Sequence, residues 1–174
     1  SIPELREDLR EQIDRLLPKP GSSARNPIDI ANPYATPEVL NQVLVGAARD
    51  EAIDVQIVIQ LLYHYKALAI SFGANSVKAL TPFKELADAI DDAVSAAKKP
   101  VIVVLPDLKQ EVESIEVTEM IRETRKILTD MGIPVYDDLR NAVQSLHALS
   151  VYSRKKLARE KALPAQCPPP AAHR

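Results

Sequence analysis

The sequence predicts an α/β protein built on a parallel sheet. An apolar, β-branched run at residues 101–105 follows a Lys-Pro break, and a shorter apolar run at 134–136 is entered through Gly132. Between them, residues 117–131 repeat apolar side chains at helical spacing. Two parallel strands need such a helical crossover. Because parallel sheets bind ligands at the carboxyl ends of their strands, the pattern also predicts the edge where a site would lie.

The chain is predicted to open on a helix. Residues 1–17 carry one apolar stripe at helical spacing, and Ser1 and Glu4 have the spacing of a capping box. The residues that follow, 18–23, are rich in Pro, Gly and Ser and are predicted to end this helix in a loop.

The next predicted elements are a strand and a capped helix. Residues 26–30, with the sequence Asn-Pro-Ile-Asp-Ile, predict a short strand. Thr36 is the expected N-cap of the following helix, with Pro37 at its first position. This helix is expected to end near Glu51.

The middle of the chain predicts a strand, an irregular stretch and another helix. Residues 55–62 form the strand, and their two glutamines indicate a part that faces water or an edge. Residues 63–80 read as irregular, with room for a short helix. Thr81 and Pro82 then open the helix that precedes the 101–105 strand.

The carboxyl-terminal part predicts a long helix and a tail. The helix begins after Asp137 or Asp138 and continues to about Leu163, and the Pro-rich residues 164–174 predict a disordered segment. The expected organisation is one domain over 1–153, with four short parallel strands and helices on both faces, followed by a basic helix end and tail over 154–174.

Composition excludes several classes of function. Among 174 residues, 22 are Lys or Arg and 24 are Asp or Glu, so no basic excess favours nucleic acid. The four glycines form no cluster of the kind that cradles a nucleotide phosphate. No apolar run approaches the roughly 20 residues that cross a bilayer. The single cysteine, Cys167, has no partner for a disulfide within the chain, which suits a cytoplasmic protein.

Three candidate residues follow predicted strands at their carboxyl ends. Tyr63 and His64 come after the 55–62 strand, and Asp107 comes after the 101–105 strand. His64 is a ligand contact on one interpretation and an interface or packing residue on the other. Asp107 is expected at the same edge of the sheet.

Four further candidates belong to the 26–34 region. Asn26 and Asp29 either contact a ligand or fix the loop through Asx-type hydrogen bonds. Asn32 and Tyr34 follow the predicted 26–30 strand, so they are better placed to touch a ligand or a partner domain.

No residue pattern predicts catalysis or a metal site. The three histidines and the single cysteine are dispersed along the chain, which argues against metal ligation. Asp50 and Glu116 are predicted to face solvent.

Five segments in a fixed order carry a family resemblance. They are Asn-Pro-Ile-Asp-Ile at 26–30, Thr-Pro-Glu-Val-Leu at 36–40, Ala-Ile-Asp-Asp-Ala at 89–93, Lys-Pro-Val at 99–101 and Met-Gly-Ile-Pro-Val at 131–135. Over residues 1–153 the chain resembles the C-terminal, flavodoxin-like domain of the NDP-forming acyl-CoA synthetases, relatives of succinyl-CoA synthetase. Relative to that family, its first strand and the Gly-rich loop after it are missing.

The resemblance implies part of an enzyme that joins a carboxylic acid to CoA with ATP or GTP, through an acyl phosphate and a phosphohistidine. The family's phosphorylated histidine, Gly-rich loop and ATP-grasp domain are not in this sequence. The segment is therefore expected to be a structural or interface domain without a cofactor of its own, whereas the whole enzyme uses CoA and ATP or GTP with Mg²⁺. Its implied partners are the CoA-binding, His-bearing domain and the ATP-grasp domain, in the same chain or another subunit of an oligomer.

Two alternatives stay open. The first is a stand-alone, non-catalytic binding or interaction module of the same fold, favoured because residues 63–80 and 106–116 are longer than the family pattern. The second is an unrelated doubly wound domain of the receiver or cobalamin-binding type, whose characteristic residues the sequence does not contain.

The basic end of the last helix has two interpretations of its own. Its cations are Arg154, Lys155, Lys156, Arg159 and Lys161. Positive charge near a helix carboxyl terminus is favourable by itself. Alternatively, these cations dock an acidic partner surface or a phosphate of CoA.

Overall fold

The computed structural model describes residues 2–31, 33–108 and 115–162, and the side chains of these residues up to 160. In this part of the chain seven helices and three strands occur. In chain order they are α1 (Glu7–Leu16), α2 (Pro37–Ala48), β1 (Gln56–Ile59), α3 (His64–Ser71), α4 (Val77–Leu80), α5 (Phe83–Ala97), β2 (Val101–Val104), α6 (Ile115–Asp130), β3 (Val135–Tyr136) and α7 (Leu139–Ala162).

The three strands form one parallel sheet in the order β1-β2-β3. Gln56 of β1 is opposite Val101 of β2, and Val103 of β2 is opposite Val135 of β3. All four residues of β2 are buried, as expected of a central strand covered on both faces. Helices lie on both sides of the sheet, so the predicted α/β fold class is confirmed, and the arrangement is consistent with a flavodoxin-like fold.

The prediction of a strand at residues 26–30 is wrong, so the sheet has three strands where four were expected. Asp29 makes only an isolated antiparallel bridge with Ser23, through hydrogen bonds of 2.8 and 2.9 Å. Pro27 has no N–H to give to a ladder. The Asp29 carboxylate accepts the N–H of Ala31 at 2.8 Å, which turns the chain immediately after it.

The first helix begins later than predicted because of Asp50. The backbone N–H of Arg6 donates to the Asp50 carboxylate at 2.8 Å, and Arg6 itself is extended, with ψ 144°. The helix therefore begins at Glu7, while the expected cap, Ser1, lies outside the described residues.

Asp50 was predicted to face solvent, and this prediction is wrong. It is 3% exposed, and its carboxylate also accepts the N–H of Ala52 at 3.0 Å. The hydrogen bond from the Arg6 backbone, followed by that from Ala52, lowers the pKa of this carboxyl. The Lys99 ammonium donates to the Asp50 carbonyl oxygen at 2.7 Å. One residue thus joins the start of α1, the end of α2 and the approach to β2.

The cap of α2 is as predicted, and it supplies a stability test. Thr36 Oγ1 accepts the N–H of Val39 at 3.3 Å, and Pro37 is the first helical residue. We expect Thr36→Ala to lower the free energy of unfolding by about 1 kcal/mol, since an N–H at the helix start loses its acceptor. Thr129→Ala, at an exposed position of α6, is the control and should change it by less than about 0.5 kcal/mol. Equal losses in urea titrations would contradict the capping role.

Residues 63–80, predicted to be largely irregular, fold into α3 and α4. Glu116, predicted to face solvent, is what holds α4: its carboxylate accepts the Ser76 hydroxyl and the N–H groups of Val77 (3.0 Å) and Lys78 (3.1 Å). That prediction for Glu116 is therefore wrong, and its interaction ties α4 to α6.

The chain forms two compact units, Ser1–Leu139 and Arg140–Arg174. The first contains the sheet and a core in which Val103, Leu105 and Leu128 are fully buried. In the second, the described residues belong to α7. This helix continues across the domain boundary predicted at 153/154, and it confirms the prediction that the last helix extends to about residue 163. The predicted tail, 164–174, lies outside the described residues.

Candidate site at the open side of the sheet

Three of the predicted site residues follow strand ends, as expected. Tyr63 and His64 come shortly after β1, and Asp107 comes shortly after β2. Because both strands are parallel neighbours, these residues are at the carboxyl edge of the sheet. The prediction that these residues share an edge depends only on β1 and β2 being parallel, and the structure shows that they are.

Tyr63 and His64 form a local aromatic pair. Their ring centroids are 4.3 Å apart and the ring planes meet at 74°, an edge-to-face geometry. Both side chains are half-buried, and His64 is the first residue of α3. Within the described residues no carboxylate pairs with the His64 ring, so the orienting partner of a nucleophilic or basic histidine is not found there.

Two buried oxygens close to this edge lack hydrogen-bond partners among the described residues. They are Oδ1 of Asp107 and the hydroxyl of Tyr65. Burial raises the pKa of Tyr65 to about 12, so its hydroxyl stays protonated at neutral pH. Tyr65 packs within the main apolar core, and no spacing in the sequence indicated this.

Of the four candidates in the 26–34 region, Asn26 and Asp29 make structural hydrogen bonds. The Asn26 amide donates to the Pro3 carbonyl at 2.8 Å, and Asp29 makes the local turn given above. Tyr34 is 70% exposed, and Asn32 lies outside the described residues. In the part of the chain that is described, no hydrogen bond or ring contact joins this group to Tyr63, His64 or Asp107.

A charged pair at the end of β3 was missed from the sequence. The Arg125 guanidinium donates to the Asp137 carboxylate and, at 3.4 Å, to the Val135 carbonyl. Asp137 directly follows β3, so the rule that selected Asp107 also selects it. Arg125 carries no such signal, because it reaches the edge from α6.

One side of β1 has no strand beside it. The N–H groups of Gln56 and Gln60 donate to carbonyls of the β2 segment at 3.1 and 3.0 Å. Backbone groups alternate in direction along a strand, so those of Ile57 and Ile59 point away from β2. No described backbone group pairs with them. The predicted edge is therefore present, although the glutamines are not what marks it: Gln60 is buried and the Gln56 amide donates to the Leu44 carbonyl.

A cavity of about 160 Å³ lies beside this open edge. Ile57 and Ile59 line it from β1, and Ile28 and Ile30 line it from the segment that was predicted to be a strand. Val43, from α2, also lines it. Among its lining residues there is no charged side chain, and the two amides, of Asn26 and Gln56, each donate to a carbonyl.

The strand order bears directly on where a ligand could bind. Ligands of doubly wound sheets bind in the crevice where the strand order reverses direction. The described strands run β1-β2-β3 without a reversal, so a crevice of this type needs a further strand on the open side of β1. Tyr63 and His64, at the carboxyl end of β1, would border it.

Comparison of the chain with protein-family models, with curated proteins and with solved structures returns no match. Among the described residues, no three His, Cys, Asp or Glu side chains are grouped so that they could hold a metal ion. None of the described helices combines the length and the apolar character needed to cross a membrane.

Proposed function

We propose that this chain is a non-catalytic structural and interface domain of an NDP-forming acyl-CoA synthetase. The whole enzyme would join a carboxylic acid to CoA with ATP or GTP, through an acyl phosphate and a phosphohistidine. The observation that carries the proposal is the one-directional strand order, which ends at the unpaired side of β1. Doubly wound sheets bind ligands in a crevice between the two strands at which the strand order reverses. The described sheet provides one of these two strands, β1.

The resemblance supports the same conclusion. The strands at Gln56–Ile59, Val101–Val104 and Val135–Tyr136 occur at the positions expected from it. The segment that departs from expectation, 26–30, lies beside the open edge of β1. In this proposal Tyr63 and His64 contact a neighbouring domain or its ligand across that edge.

The chemistry would be supplied by the other domains. A CoA-binding domain would provide the phosphorylated histidine, and an ATP-grasp domain would bind ATP or GTP with Mg²⁺. The described residues of this chain support this division, because His64 has only Tyr63 as a ring partner and no carboxylate orients it. A second contact in this proposal is between the phosphates of CoA and the basic end of α7, where Arg154, Lys155 and Arg159 are exposed.

Reconstitution tests the proposal. We expect the purified chain to form no acyl-CoA from acetate, CoA and Mg-ATP by itself. Mixed with the separately purified CoA-binding and ATP-grasp domains of an acyl-CoA synthetase from the same source, it should co-elute with them in gel filtration and raise acyl-CoA formation. Turnover by the chain alone, or failure to bind either domain, would overturn the proposal.

The alternative, a stand-alone interaction module of the same fold, has one observation in its favour. The long segment 63–80 is folded into α3 and α4, and it exposes two large apolar side chains, Ile70 and Phe72, at 69% and 71%. Exposed apolar side chains grouped on a surface indicate an interaction site. Binding of the domains with no effect on acyl-CoA formation would favour this reading.

A further inference from the structure

The open edge of β1 has the two requirements of a strand-binding groove. Ile57 and Ile59 each present a backbone N–H and C=O that the described residues leave unpaired. Beside them lies an apolar cavity with a second wall formed by Ile28 and Ile30. An edge strand with free backbone groups pairs readily with an added chain, and proteins normally cover or blunt such edges.

We propose that this groove binds one extended peptide segment as a fourth strand of the sheet. The backbone of the segment would pair with Ile57 and Ile59, and its apolar side chains would face Val43 and the wall formed by Ile28 and Ile30. This is β-augmentation, in which main-chain hydrogen bonds give affinity and alternate side chains give specificity. The proposal does not depend on the acyl-CoA synthetase assignment.

The lining excludes a polar small molecule as the main occupant. No charged side chain borders the cavity, and the amides of Asn26 and Gln56 are already engaged with carbonyls. A phosphate or carboxylate would be desolvated there without a compensating partner. The polar groups left over belong to the backbone of β1, and an extended backbone is the partner whose donors and acceptors match them.

A second copy of the chain fits this groove less well than a single segment. The open edge of β1 has residues 26–31 beside it, because Ile28 and Ile30 line the same cavity. A second copy would bring its own 26–31 segment to the interface along with its β1. A lone strand has no such attachment, so it can enter between the two walls.

The test uses a peptide with the sequence of residues 101–105, the β2 segment that already pairs with β1, flanked by two lysines at each end for solubility. We expect saturable binding to the full chain by fluorescence anisotropy. Hydrogen exchange at the amides of Ile57 and Ile59 should slow about tenfold or more, while that of Val58, directed toward β2, should change little. The control is the same peptide N-methylated at every residue from 101 to 105, so that neither of its edges can donate to β1, and it should not bind.

Two variants place the interaction on the protein. Ile57→Pro removes a free-edge N–H and leaves the β2 ladder intact, so we expect peptide affinity to fall by about two- to tenfold, as for one lost hydrogen bond. If that variant does not fold, Ile30→Lys puts a charge on the second wall and should weaken binding, whereas Ile115→Lys, at an exposed site on α6, should not. Equal binding of the N-methylated peptide, or unchanged exchange at Ile57 and Ile59, would overturn the proposal. No CoA, nucleotide or partner domain takes part, so either outcome leaves the enzyme assignment to its own test.

Discussion

Leu105→Ala is expected to lower the free energy of unfolding by about 3 kcal/mol, within the range of about 2–5 kcal/mol for truncation of a buried leucine. Leu105 directly follows β2 and has no exposed surface. Its backbone N–H donates to the Tyr136 carbonyl at 2.9 Å, and alanine keeps that bond. The loss therefore reports the apolar contacts and the cavity left in the core. Urea unfolding followed by circular dichroism measures it, with an unchanged m-value as the sign of a stability effect.

A matched control lies three residues further along the chain. Leu108 is 62% exposed, so Leu108→Ala removes the same atoms from a position that packs little, and the free energy should change by less than about 0.5 kcal/mol. Similar losses for both variants would show that the loss does not come from core packing at Leu105. A loss at Leu105 alone ties the stability of the first unit to the carboxyl end of β2, where Asp107 also lies.

The parts of the fold that were predicted correctly depend on local sequence. The β-branched run that forms β2 can be recognised by itself. A strand covered on both faces has every residue buried, and it therefore reads as a continuous apolar run. Thr36 and Pro37 likewise identify the start of α2 from adjacent residues. The parallel direction of β2 and β3 followed from the helical connection between them.

The parts that were wrong depend on partners distant in sequence. Arg6 and Asp50 are 44 positions apart, and Val77 and Glu116 are 39 apart. No periodicity or cap motif records such pairs, so two structural carboxylates were predicted to be solvent-facing and α1 was predicted to begin too early. The 26–30 segment failed instead for a local reason: Pro27 has no N–H to give to a ladder, and the Asp29 carboxylate turns the chain by accepting the N–H of Ala31.

The candidate site likewise contains residues that could be predicted from local sequence and residues that could not. Tyr63, His64 and Asp107 were predictable because a residue that follows a parallel strand is at a known edge. Ile57 and Ile59 were not, because their side chains carry no signal and their importance comes from the backbone groups that β2 does not use. The open edge of β1 is therefore a surface that residue chemistry alone does not reveal.

Glu116→Ala is expected to have the second largest effect, a loss of about 1.5 kcal/mol in the free energy of unfolding, as for charged hydrogen bonds on a half-exposed group. The carboxylate accepts from Ser76 and from the backbone of Val77 and Lys78. Without it, α4 loses its connection to α6. Glu119→Ala, at an exposed position of the same helix, should change the free energy by less than about 0.5 kcal/mol.

The effect of Glu116 should also depend on pH in a defined direction. The Ser76 hydroxyl, helped by the N–H groups of Val77 and Lys78, lowers the pKa of the Glu116 carboxyl below its ordinary value of 4.5. A carboxyl whose pKa is lower in the folded state stabilises that state fully above the unfolded value, and this contribution is lost as the pH falls through the folded value. The difference in melting temperature between the native chain and Glu116→Ala should thus be constant from pH 7 to about pH 5 and shrink in stronger acid. A difference that is the same at every pH would mean that Glu116 stabilises α4 by packing and not through its charge.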